Sequence, residues 1–171
     1  MKRLMTVFAI LVLVFALSAC VSKTEKQAST EDQIPNPWHS FETLKSAEEY
    51  AGYELGIPET IADTYKAVSY SVMDGEKTIL QVHYQDEDFE VIIRKSRDVG
   101  QDISGVYGFT KTDISEYEGT MIQFYRPSDK SETPNAVLNI FDYNGFAWSI
   151  YAQNGFWGDS GRDFLIAVFE E

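Results

Sequence analysis

Apolar residues fill every position from Leu4 to Leu17 except Thr6, polar residues dominate from Val21 to Pro37, and from Trp38 onward the two classes alternate with structure-forming periods. Leu44, Ala47, Tyr50 and Ala51 recur at helical spacing behind the candidate caps Ser40 and Thr43, predicting a helix over 44–51. Gly52 suits the left-handed position that ends a helix, and Pro58 discourages continuation. From Tyr65 the period becomes two. Val68, Tyr70 and Val72 are expected on one face of a first strand, Asp74-Gly75 is a hairpin signal, and Leu80, Val82 and Tyr84 line one side of a second strand over 77–85. A third strand over 88–95 places Phe89, Val91 and Ile93 together, so 65–95 reads as a three-stranded meander. Gly108 to Ser115 is weakly strand-like and Thr120 to Arg126 more clearly so, with a loop expected over 128–135. Asn144-Gly145 then joins two alternating aromatic strands, 136–143 and 146–153, as a type I′ hairpin. The last prediction is a helix over 161–169 with Phe164, Leu165, Val168 and Phe169 on one stripe. The fold class is therefore α+β: a curved antiparallel sheet of meander and hairpins with an N-terminal and a C-terminal helix packed on it.

Lys2 and Arg3 precede the apolar run, which spans 14 residues where a membrane-crossing helix needs roughly 20. That is the pattern of a signal peptide, with an uncleaved anchor as the alternative. Leu17-Ser18-Ala19-Cys20 resembles the lipobox of bacterial lipoproteins. The resemblance implies a diacylglyceryl group on the Cys20 thiol, cleavage before it, and a protein held to the outer face of the bacterial cell membrane. Two acyl chains anchor stably where one binds only marginally. The expected organisation is a signal peptide over 1–19, a lipidated cysteine and flexible tether over 20–37 spanning roughly 20 to 25 Å, and one globular domain over 38–171.

Cys20 is the only cysteine, so lipidation would leave no disulfide, thiol nucleophile or thiolate metal ligand. The whole chain has 14 basic and 27 acidic residues; without Lys2 and Arg3 there are 12 against 27, a net charge of −15. Such a surface repels nucleic acid and anionic headgroups and keeps a protein soluble.

Asn36-Pro37-Trp38, Ala47-Glu48-Glu49, Gly52-Tyr53-Glu54-Leu55, Ile57-Pro58-Glu59, Ile92-Ile93-Arg94-Lys95 and Asp102-Ile103-Ser104-Gly105 are similar to words of the clostridial-type extracellular domain of unknown function 4367, over most of 36–170. The resemblance implies secretion, lipidation and a sheet-rich domain. It brings no catalytic residues with it.

His39 and His83 are the only histidines, and neither has zinc-ligand spacing to a partner. His83 shares a strand face with Gln81 and Gln85, the neighbouring strand offers Glu90 and Arg94, and Ser69 and Ser71 lie on the corresponding side of the first strand. His83, Gln81, Glu90 and Arg94 are thus candidates for binding a polar ligand, against the alternative of an ordinary solvated sheet face. Gly158-Asp159-Ser160-Gly161 spells a serine-protease nucleophile motif, but a domain this small cannot supply two β-barrels, and Ser160 or Asp159 reads better as a helix cap. Asp86-Glu87-Asp88 is too compact for an EF-hand and reads as a turn. Glu116 and Glu118, two apart on a strand, would share a face as a carboxylate pair. Phe146 and Trp148 are expected in the core with Tyr151 on the opposite face, and Trp157, beside Gly155 and Gly158, is the aromatic expected to be exposed as a sugar, peptide or membrane contact. No cofactor or metal is implied. The sequence points to a non-catalytic surface binding or sensing module with an unknown ligand or envelope protein as partner; a small envelope hydrolase and an interaction subunit of a membrane complex are the alternatives.

Overall fold

A computed structural model describes residues 36–85, 89–128, 135–153 and 159–170, with backbone alone at 159–162. The described residues all belong to one compact unit, 36–171; the expected signal peptide, Cys20 and most of the expected tether lie outside them, as do Asp86 to Asp88, most of the 128–135 loop and Trp157. Among the described residues nine strands and two helices follow in the order β1 (Trp38–Phe41), α1 (Leu44–Ala51), β2 (Thr60–Ile61), β3 (Tyr65–Met73), β4 (Ile79–Gln85), β5 (Glu90–Ser96), β6 (Phe109–Tyr117), β7 (Thr120–Pro127), β8 (Val137–Tyr143), β9 (Phe146–Ala152) and α2 (Asp159–Phe169). All pairings are antiparallel in one open sheet, ordered β1-β3-β4-β5-β9-β8-β7-β6, with β2 also beside β3. Two meanders, β3 to β5 and β6 to β9, are joined side by side through β5 and β9.

Helix α1 has the predicted limits. Thr43 Oγ1 accepts the Ser46 N–H at 3.2 Å, satisfying one of the free amides of the first turn, and Gly52 ends the helix at φ +77°. Asn144 and Gly145 both have positive φ, as a type I′ turn requires. Helix α2 begins at Asp159, two residues before the expected start, so Asp159 and Ser160 belong to its first turn; their side chains lie outside the description.

Two short strands were not legible as periodic patterns. β1 precedes the first helix and pairs with residues 70–73 of β3, while β2 pairs with residues 65 and 66 of the same strand. Each is too short for alternation to stand out. Val68 departs from its expected face: the β3–β4 register shifts between Ala67 and Ser69, and Val68 is 56% exposed. An extra residue at that shift changes the side-chain phase, so Tyr65, Tyr70 and Val72 are all buried together although Tyr65 is out of step with the other two.

One sheet face carries the main core. Tyr70, Leu80, Val82, Tyr84, Val91, Ile93, Trp148, Ile150 and Phe141 belong to a single buried cluster that also takes in Leu44 and Ala47 of α1 and Phe164, Val168 and Phe169 of α2. Phe164 meets Tyr65 and Tyr84 edge-on at 5.1 and 5.4 Å, and Phe169 packs on Phe141 and Tyr143. Each fully buried large apolar side chain contributes about 1.5 to 3 kcal/mol. Lys95, 1% exposed, lies on this same face; its ammonium donates to the Leu55 carbonyl at 2.9 Å and sits 4.4 and 4.7 Å from the ring centres of Phe146 and Trp148. A buried ammonium needs such acceptors and ring faces, because an uncompensated charge there would cost several kcal/mol.

Candidate functional site

The opposite face is where the predicted polar residues meet. Antiparallel register sets Ser71 opposite Gln81, Gln81 opposite Arg94, and Arg94 opposite Ser149, forming a polar row across four strands; the next row runs Ser69, His83, Ile92, Tyr151. Directly opposed side chains are close enough to touch and diagonal ones are within reach of long groups. Accordingly, Arg94 Nε donates to Gln81 Oε1 at 2.7 Å, Gln81 Nε2 lies 3.2 Å from Ser71 Oγ and 3.0 Å from His83 Nε2, and His83 Nδ1 lies 2.9 Å from the diagonal Glu90 Oε1. Gln81, His83, Glu90 and Arg94 are one connected network.

Donor and acceptor roles follow around it. Arginine can only donate, so Gln81 must present its oxygen to Arg94 and its amide hydrogens to His83. His83 Nε2 is therefore the acceptor, and the ring proton sits on Nδ1, aimed at Glu90. Both imidazole nitrogens are committed to neighbours.

A strap, residues 97–108, lies over part of this face. Ile103 is its pin, buried with Ile79 and Ala147 beside Trp38 and Met73. Gly100 N–H donates to both carboxylate oxygens of Asp142 on β8, and Arg94 Nη1 donates to the carbonyls of Ile103, at 3.1 Å, and Ser104. Asp102 Oδ1 accepts from Ser104 N–H at 2.8 Å, and Ser104 Oγ from Val106 N–H at 3.2 Å, two local turns that fold the strap back on itself. Gly105 has φ +60°, and a Cβ there would lie 2.6 Å from Arg94 Nη1, so the backbone comes this close only because the side chain is missing. Burial lowers the pKa of Arg94, opposed by the charge of Asp102; an arginine remains a cation even so.

The strap leaves a cleft on each side. One, about 330 Å³, is lined by Ile92, Arg94, Ser149 and Tyr151 from the sheet and by residues 104–107 from the strap. The other, about 440 Å³, lies over β7 and β8 beside Gly100 to Asp102. Tyr107 stands out from the strap at 91% exposure. Trp38 stacks over the Arg94 guanidinium with 5.1 Å between Cζ and the ring centre.

The sequence reading missed the strap, whose signal is an apolar Ile103 set directly among Asp102, Ser104 and Gly105. Glu116 and Glu118 do not form a carboxylate pair on one strand face. β6 ends at Tyr117, and Glu118 and Gly119, at φ +49° and +79°, form the two-residue turn to β7. Phe146 and Trp148 do pack on the core face and Tyr151 on the other. Among the described residues no group of three or more His, Cys, Asp or Glu is placed to hold a metal ion, and no helix is long and apolar enough to cross a membrane. No protein-family model, curated protein or solved structure matches the chain.

Proposed function

We propose that this chain is a lipoprotein of the outer face of a bacterial cell membrane, anchored through a diacylglyceryl group on Cys20, whose domain is a non-catalytic binding or sensing module. The lipobox, the polar tether and the resemblance to domain of unknown function 4367 support the anchorage. The observation that carries the binding reading is the strap pinned across the polar sheet face, which leaves a 330 Å³ cleft of the size ligands occupy. The closure of His83 between Gln81 and Glu90 supports a structural rather than a proton-transferring role for that imidazole. In this reading the two helices stiffen a curved sheet from behind while its other face meets the ligand.

The test is native mass spectrometry of the full chain released from micelles after exposure to envelope extract, against the same sample denatured. A reproducible added mass that disappears on denaturation supports the module; turnover of an envelope substrate by the purified chain would overturn it. A second reading, an interaction subunit, draws on β6, which ends the sheet with nine residues that are mostly exposed. Strand edges accept partner strands, and crosslinking in native membranes to a fixed partner through β6 would favour it.

A further inference from the structure

We infer that the cleft between the strap and strands β5 and β9 is a site for a small amphipathic monocarboxylate, its carboxylate held by Arg94 and Ser149 and its apolar body by Ile92, Tyr151 and Val106. This deepens the binding-module reading and rests on it.

The floor of the cleft is two cross-strand pairs, Arg94 opposite Ser149 and Ile92 opposite Tyr151. One end is therefore cationic and hydroxylic, the other apolar. Arg94 is held by its own partners: Nε by Gln81, Nη1 by two strap carbonyls. Its remaining nitrogen, Nη2, bonds to no described residue, so a rigid guanidinium offers one open edge. That edge suits one carboxylate oxygen, with the Ser149 hydroxyl available to the other. Rigid presentation matters because little side-chain freedom is left to lose on binding.

Charge and volume narrow the class. Among its described lining residues the cleft has a single cation, Arg94, in a chain of net charge −13. A monoanion can be balanced there, whereas a phosphate dianion would leave one charge uncompensated in an acidic chain. A volume near 330 Å³ holds on the order of ten water-sized groups at about 30 Å³ each, which fits a short acyl or amino-acid-sized ligand. Tyr151 is braced from behind by Phe109, 6.1 Å away edge-on, and the exposed Tyr107 stands beside the opening.

The full chain in uncharged detergent micelles is titrated at neutral pH with hexanoate, hexanamide and hexyl phosphate, following the backbone amide resonances of 104–107 and 149–151. Hexanoate should shift these amides saturably, and hexanamide and hexyl phosphate should bind about tenfold more weakly or worse, the loss expected for one charge-assisted hydrogen bond. Arg94→Gln should abolish binding. Because Arg94 also secures the strap, Ser149→Val is the cleaner variant: it fills the hydroxylic end, leaves the strap bonds in place and should weaken hexanoate about tenfold. Equal binding of hexanamide, undiminished binding by Ser149→Val, or no saturable shift with any probe each overturns the inference. A bound species seen by native mass spectrometry under that last outcome would leave the broader binding reading standing, so the two failures are distinguishable.

Discussion

Gly105→Ala tests the clamp between strap and sheet in a way that isolates its cause. A side chain at φ +60° costs about 1 to 2 kcal/mol, partly offset because alanine has less freedom than glycine when unfolded. Gly108, at φ +77° with open space around it, has only this cost, so Gly108→Ala should destabilise by about 1 kcal/mol. At Gly105 the new Cβ also meets Arg94 Nη1 at 2.6 Å. The guanidinium cannot yield without losing bonds to the Ile103 and Ser104 carbonyls or to Gln81, each about 1.5 to 3 kcal/mol when one partner is charged. The expected cost of Gly105→Ala is therefore about 3 kcal/mol, a large part of the 5 to 15 typical of a folded domain. In an Arg94→Gln background the obstacle is gone, and the same substitution should cost about 1 kcal/mol, leaving a coupling of about 2 kcal/mol in the double-mutant cycle. Urea unfolding at constant m-value measures all four corners. Equal losses for Gly105→Ala and Gly108→Ala, or an additive cycle, would refute the clamp.

Three further outcomes are expected. Burial pushes Tyr53 and Tyr70 up to about 12, with Glu59 adding to the effect at Tyr70, and burial raises Tyr84 as well. These folded values lie above the ordinary 10, so the stabilisation is complete below pH 10 and declines as pH rises toward about 12. Ultraviolet difference titration should show them ionising after the exposed tyrosines, and a single transition near pH 10 would count against the burial. Imidazole ¹⁵N spectra at neutral pH should show His83 protonated on Nδ1; Nε2 protonation would mean that Gln81 does not stand between Arg94 and His83 as described. Asn139 is 5% exposed on the core face, with its Oδ1 unpartnered among the described residues, so Asn139→Leu should raise stability by about 1 to 3 kcal/mol in thermal unfolding, and a loss would show that the amide is in fact satisfied.

Much of the fold was legible because its signals are local. Thr43 and Gly52 bracket α1, Asn144-Gly145 dictates its turn, and the alternation of Leu80, Val82 and Tyr84 names a face without knowledge of any partner. What escaped depends on partners. β1 and β2 are strands only because β3 is beside them, and Val68 left its predicted face because a register shift costs nothing in local pattern. The polar candidates Gln81, His83, Glu90 and Arg94 were grouped correctly from strand phase alone, since a shared face follows from period two. Ser149 could not be joined to them, because the β5–β9 pairing unites segments from the two meanders. The strap's role was hidden for the same reason: Ile103 finds Ile79 and Ala147 only after the sheet has closed.

That late closure has a consequence for how the chain comes into being. Every strand pairing within β3 to β5 and within β6 to β9 joins neighbours in sequence, and the seam β5–β9, with Val91 opposite Ala152 and Ser96 opposite Ala147, is the long-range step. Contacts between distant segments carry the loop-closure entropy and set folding rates. A first meander formed on its own leaves β5 as an unpaired edge, and that edge is covered only when β9, the last of the described strands, is in place. Until then the chain is most exposed to pairing with the wrong strand.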